Sequence, residues 1–178
     1  IYIDIIEKNP KNIYSIKRIK HIYRLANDIK LIEQLIDKYD FTIINNPMLL
    51  IEIMELNIWA NNSIWHNISN KIFINFNDNQ QIITLLVGRL INNGLMEEAM
   101  IFINKYRMKD NKLDFYSLEL GTYYGSKMAY EYALEEYLLN LKYNSKNYRS
   151  ISNRIMMFPE ILSIQNKIKE ILINSTIK

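Results

Sequence analysis

Cysteine is missing from the 178 residues, so neither a disulfide nor a thiolate metal site can form, and the chain suits a reducing or an oxidising compartment equally. Glycine occurs four times and proline three. Sheet folds with many tight turns need more of both, whereas helix pairs joined by short polar loops do not. No glycine precedes Gly88, which removes the glycine-rich turn that a dinucleotide-binding strand–helix unit needs near its start. His21 and His66 are the only histidines, and neither stands at a ligand spacing from another ligating residue, so no metal site is expected. Charge of one sign is not in excess either. The 22 basic and 19 acidic residues leave a net +3, too balanced to argue for nucleic acid or a membrane surface. No run approaches the ~18 uncharged apolar residues of a membrane span. The richest, PMLLIEIMELNIWA, is interrupted by Glu52 and Glu55.

No stretch reads as a signal peptide. The chain starts at Ile1 rather than Met and is expected to be a fragment of a longer one, so cytoplasm and bacterial envelope or periplasm both stay open. Nothing in the sequence speaks to oligomeric state. What is present is ordinary for a folded protein: 49% hydrophobic and 23% charged residues, in a length that suits one globular domain or about five helical hairpins.

Apolar residues recur at intervals of three and four almost throughout. In residues 13 to 26, Ile16, Ile19, Ile22, Tyr23 and Ala26 share one face, while Lys17, Arg18, Lys20, His21 and Arg24 form a basic face expected to be solvated, with contact to phosphates or an acidic partner as the less favoured reading. Asn27 and Asp28 interrupt, and the next helix turns Leu31, Ile32, Leu35 and Ile36 inward. Asn46 is placed to cap a helix that Pro47 opens, NNS at 61 to 63 breaks it, and a further helix runs through Phe76. NDNQ at 77 to 80 precedes a helix to about Leu90, and Gly94 suits a left-handed cap at its end. Helices are predicted at about 95–107, 114–125, 127–143, 147–157 and 160–174. The last opens at Pro159 and carries Ile161, Ile164, Ile168, Ile171 and Leu172 on its apolar side. The chain reads as all-α.

Beneath the helices lies a repeat of 34 residues. Ala99 aligns with Ala133 without a gap, and with them Leu86 with Leu120, Leu90 with Tyr124, Met96 with Tyr130 and Ile103 with Tyr137. Ile29 and Ser63, each near the start of a second helix, are also 34 apart. A fixed period in this range signals stacked helical repeats. The segment LELGTYYGSKMAYEYALEEYLLNLKYNSKN resembles a tetratricopeptide repeat, with Leu120, Gly121 and Tyr124 in its first helix and Tyr130, Ala133 and Tyr137 in its second. The unit at 81 to 111 keeps Leu86, Gly94 and Ala99 but has Val87 at the glycine place, and the position where the family often ends with proline falls near Asn111 and Ser145. The match covers about residues 80 to 145. It implies a right-handed α-solenoid, one domain over 1–178, with hairpins at about 12–40, 46–76, 80–107, 113–143 and 147–174. The physical sense of the motif is that small residues at Gly121 and Ala133 let two helices approach, while Tyr124, Tyr130 and Tyr137 fill the space to the next hairpin.

Tyr123 and Lys127 stand in the Tyr-x-x-x-Lys spacing of short-chain dehydrogenases, but the phosphate-binding turn that such an enzyme needs is missing. GTYYGSK lacks the glycine–lysine spacing of a phosphate loop. Ser63, Ser117 and Ser126 have no identifiable histidine base, and the acid pairs Glu97/Glu98 and Glu135/Glu136 read as solvated helix faces. No enzyme activity and no cofactor are therefore expected. Trp59 and Trp65, which straddle the turn of the second hairpin, are expected to pack between hairpins rather than clamp a ligand.

The resemblance implies a scaffold whose first helices line a concave groove for a peptide or helix of a partner protein. Its groove positions here are Thr84, Gly88, Asn92, Leu118, Glu119 and Thr122. The family's lysine and asparagine clamp for C-terminal carboxylates is not evident at these positions. An alternative is an RNA-binding array of pentatricopeptide type, to which LLVGRLINNGLMEEAMIFINKY is similar. The 34-residue period and the lack of recurring basic residues disfavour it. A third reading is a spacer within a larger multidomain envelope protein.

Overall fold

A computed structural model describes residues 2–159 together with Gln165, Asn166 and Lys169. Ten α-helices and no strand form among the described residues: α1 Tyr2–Lys8, α2 Ile13–Ala26, α3 Ile29–Ile36, α4 Pro47–Trp59, α5 Trp65–Phe76, α6 Gln80–Asn92, α7 Met96–Asp110, α8 Ser117–Ser126, α9 Tyr130–Tyr143 and α10 Tyr148–Met156, the last preceded by a 3-10 turn at Ser145–Asn147. The all-α expectation holds. The helix expected over 160–174, with Ile161, Ile164, Ile168, Ile171 and Leu172, lies outside the described residues except at isolated positions.

Short polar side chains start α2, α3, α4 and α6. Asn12, Asp28, Asn46 and Asn79 each accept a hydrogen bond from a backbone N–H in the first turn of α2, α3, α4 and α6, satisfying donors that have no partner within the helix. Pro47 occupies the first turn of α4, where its missing N–H is harmless. Asn27 (φ 51°) ends α2 and Gly94 (φ 80°) follows α6 in the left-handed region. Met128 (φ 59°) turns the chain between α8 and α9, so α9 starts at Tyr130 rather than at 127.

The chain divides into two compact units, one ending at Phe102 and the other beginning at Ile103. In the first, α4 is the centre, packed against α2, α3, α5 and α6. That is why every residue from Leu49 to Asn57 is buried, the polar Glu52, Glu55 and Asn57 included. Around it lie Ile16 and Ile19 of α2, Ile32 and Leu35 of α3, Ile68 and Ile72 of α5, and Ile83, Leu86 and Leu90 of α6, all buried. The α3–α4 connection is fastened by Lys71, which donates to the carbonyls of Phe41 (2.9 Å) and Thr42 (2.6 Å). The helix α1, which the periodicity did not reveal, packs on α2.

In the second unit α8 and α9 pack most intimately, with Ala133, Tyr137 and Ile151 at the core and Leu118, Tyr124, Leu141, Ile155 and Phe158 against them. A Cβ on Gly121 would lie 2.5 Å from two ring carbons of Tyr137, so the glycine makes room for that ring. Ala133 faces Gly125 instead: a Cβ there would be 4.0 Å from its own. Tyr130 reaches Phe158 beyond α10, with ring centroids 4.7 Å apart. Arg107 forms a bidentate pair with Glu136 (3.1 and 2.7 Å) and donates to the carbonyl of Phe115 (3.0 Å).

The faces of α2 require correction. Ile22 is 49% exposed and Ala26 is exposed, whereas Lys20, expected in water, is 5% exposed and buried with Ser15, Ile16 and Ile19. The inward face is rotated toward the lysine because buried carboxylates lie opposite it on α4.

Candidate functional site

The helices α2, α4 and α6 pack side by side in the first unit and together line an open pocket of about 240 Å³. Its floor comes from α4. Glu52 and Glu55, three residues apart on a helix whose one other polar side chain is Asn57, share one face, and both side chains are at most 3% exposed. A carboxylate buried this deeply needs a cation or hydrogen-bond donors. Lys20 of α2 supplies the cation, donating from one ammonium to the Oε2 atoms of both. Arg89 of α6 approaches from the other side, 3.3 Å from Glu55 and 3.8 Å from Glu52. Asn93 donates to Glu55 Oε1 (3.1 Å) and accepts from the Trp59 indole N–H (2.7 Å). Burial raises the pKa of Glu55, but the Lys20 charge, hydrogen bonds from Lys20 and Asn93, and the Arg89 charge together bring it below the ordinary glutamate value.

The rim is basic. Lys17 has a half-exposed side chain whose ammonium is 3.7 Å from Glu52 Oε1, an oxygen with no hydrogen-bond partner among the described residues. His21 and Arg24 complete the α2 side. The Arg24 guanidinium lies over the Trp59 ring, 4.4 Å from its centroid, and the Lys20 ammonium is 5.2 Å from the same centroid.

The groove positions read from the sequence fall elsewhere. Thr84 and Gly88 are half-buried and Asn92 exposed on α6, while Leu118, Glu119 and Thr122 are on α8 in the other unit. Leu118 packs against the Tyr137 cluster, and Thr122 donates to the Leu118 carbonyl (2.8 Å) and accepts from Arg154. None of the six lines the charged pocket. Of the packing positions, Leu86, Ala99, Leu120, Gly121, Ala133 and Tyr137 are buried, and Tyr124 and Tyr130 half-buried. Lys127 sits over the face of Tyr123, 5.9 Å from the ring centroid, as a surface contact at the end of α8. Among the described residues no three His, Asp or Glu side chains converge as metal ligands, and no helix is long and apolar enough to cross a membrane.

Glu52, Glu55 and Arg89 are not among the sequence candidates, and Lys20 enters there only as part of the basic face of α2. A signal for them exists: acids three apart inside PMLLIEIMELNIW cannot be solvated if the helix is central, so they demand partners. No protein-family model matches the chain, and comparison with curated proteins and with solved structures found no match either.

Proposed function

We propose that the chain is a non-catalytic scaffold that binds a peptide or helix of another protein on a face made by the first helices of stacked, tetratricopeptide-like hairpins. The observation that supports this most directly is the shared pocket: α2, α4 and α6 open successive helix pairs, and all three contribute side chains to it. Helices of second rank, α3 and α5, line none of it. In an array of this kind the first helices form the concave wall of a right-handed solenoid, and partners lie across several of them at once. The reading also fits the 34-residue period and the close approach at Gly121, where a ring from the second helix fills the space a side chain would take.

The test is selection from a random peptide library on the purified chain, followed by solution binding of the enriched sequences. Expected is a family of peptides with micromolar affinity whose binding is weakened by substitutions on α2, α4 or α6. A failure to enrich any peptide, together with single-stranded RNA binding that falls steeply with salt, would replace the scaffold by the RNA-binding array.

A further inference from the structure

We infer that the α2–α4–α6 pocket is a recognition site for acidic side chains of a partner peptide, with the Arg24 guanidinium as its principal contact. The inference rests on the scaffold reading and names the partner chemistry. Four cations, Lys17, Lys20, Arg24 and Arg89, line the pocket against two carboxylates, Glu52 and Glu55, a surplus of two positive charges. The buried floor is neutralised from within, because Lys20 bridges both acids and Arg89 closes on them. The surplus therefore falls on Lys17 and Arg24 at the rim.

Arg24 is the better prepared of the two. No carboxylate among the described residues pairs with it, and its guanidinium carbon lies over the Trp59 ring, 4.4 Å from the centroid. That ring is itself held by the bond from its indole N–H to Asn93, which is tied to Glu55. A guanidinium held over a fixed aromatic ring is restricted in position while its N–H donors stay available, and its planar fork can match a carboxylate in bidentate fashion. Less freedom is lost on binding than for a charge on a free side chain.

The neighbouring surface suits a peptide that also carries apolar side chains. Ile22 and Leu25 are 49% and 74% exposed on α2, and Leu25 shares a helical stripe with His21 of the rim. A run of nucleic-acid phosphates fits less well. Two surplus charges occupy one pocket instead of forming a track, and two carboxylates lie beneath them. Blocked peptide ends suffice, since the contacts are to side-chain carboxylates.

The experiment is fluorescence anisotropy on the full chain with an acetylated, amidated peptide of alternating Glu-Glu and Leu-Leu pairs, and with its Gln-for-Glu counterpart. The Glu peptide should bind about tenfold or more tightly than the Gln peptide, and the difference should shrink as ionic strength rises from about 0.05 M to about 0.5 M. Arg24→Gln should remove most of that preference, and Arg24→Glu should transfer it to a Lys-for-Glu peptide. Arg18→Gln removes the same charge from an exposed position outside the pocket and should change the preference less than twofold, roughly. Circular dichroism of each variant checks folding. Equal losses from Arg18→Gln and Arg24→Gln would overturn the site in favour of a diffuse field. Displacement of the Glu peptide by single-stranded RNA at comparable concentration would overturn the peptide assignment. If the Gln peptide binds as well as the Glu peptide and Arg24→Gln changes neither, this inference falls while the scaffold reading stands. If neither peptide nor any library peptide binds, both fall.

Discussion

Lys20→Met removes the one ammonium that touches both buried carboxylates. Glu52 then keeps only Lys17 at 3.7 Å and Arg89 at 3.8 Å, and Glu55 keeps Arg89 at 3.3 Å and the Asn93 amide at 3.1 Å. Breaking a buried ion pair by removing one partner costs about 3–5 kcal/mol, because the other charge is left desolvated. The surviving cations place the expected loss near the lower bound, about 3 kcal/mol. With a urea m-value of about 2 kcal/mol per molar, the midpoint falls by about 1.5 M. Both tryptophans, Trp59 and Trp65, belong to the unit ending at Phe102, so their emission during urea unfolding reports this unit. The loss should be rescued when the charges leave together. In Lys20→Met/Glu52→Leu/Glu55→Met the buried floor becomes apolar while Lys17 and Arg89, 44% and 35% exposed, turn to solvent, Asn93 still donates to the Arg89 carbonyl (2.7 Å), and stability should return to within about 1 kcal/mol of the parent. A Lys20→Met variant within about 0.5 kcal/mol of the parent would refute the buried bridge and return Lys20 to the solvated face that helical periodicity assigns it.

Gly121→Ala places a methyl where Tyr137 ring carbons lie at 2.5 Å, so overpacking of about 1–3 kcal/mol should exceed the ~1 kcal/mol that alanine gains in a helix. The chemical-denaturation midpoint should fall, and a rise would mean the ring has room to move. The lowered pKa of Glu55 sets a pH dependence: its contribution is complete above the ordinary value of 4.5 and is lost as pH falls through the folded-state value. Glu55→Gln should therefore lie below the parent in stability at neutral pH, with the gap narrowing on acidification. A gap constant down to acid unfolding would show that the carboxylate is not held ionised by Lys20 and its other partners.

Local features were legible because their causes are local. Asn46 before Pro47, Asp28 before the Leu31 stripe and Gly94 after α6 each act on backbone groups within a turn, and each behaves as its sequence context implies. The short α1 escaped notice, since seven residues carry too little periodicity to register. The candidate site was hidden for a different reason. Lys17, Lys20 and Arg24 on α2 look like a solvated basic face until α4 and α6 bring Glu52, Glu55 and Arg89 against them, at separations of some thirty to seventy residues along the chain.

The all-helical class, the helix ends marked by Asp28, Asn46 and Gly94, and the 34-residue period follow from the order of amino acids alone, because hydrogen bonding and apolar spacing within a helix are short-range matters. Which helix lies at the centre is a tertiary decision. By surrounding α4 on four sides, the packing turns two acids that merely interrupt an apolar run into buried charges, recruits Lys20 from the face expected to meet water, and leaves Arg24 on Trp59 at the surface. The energy of a charge depends on the medium around it, and that medium is assembled from distant parts of the chain.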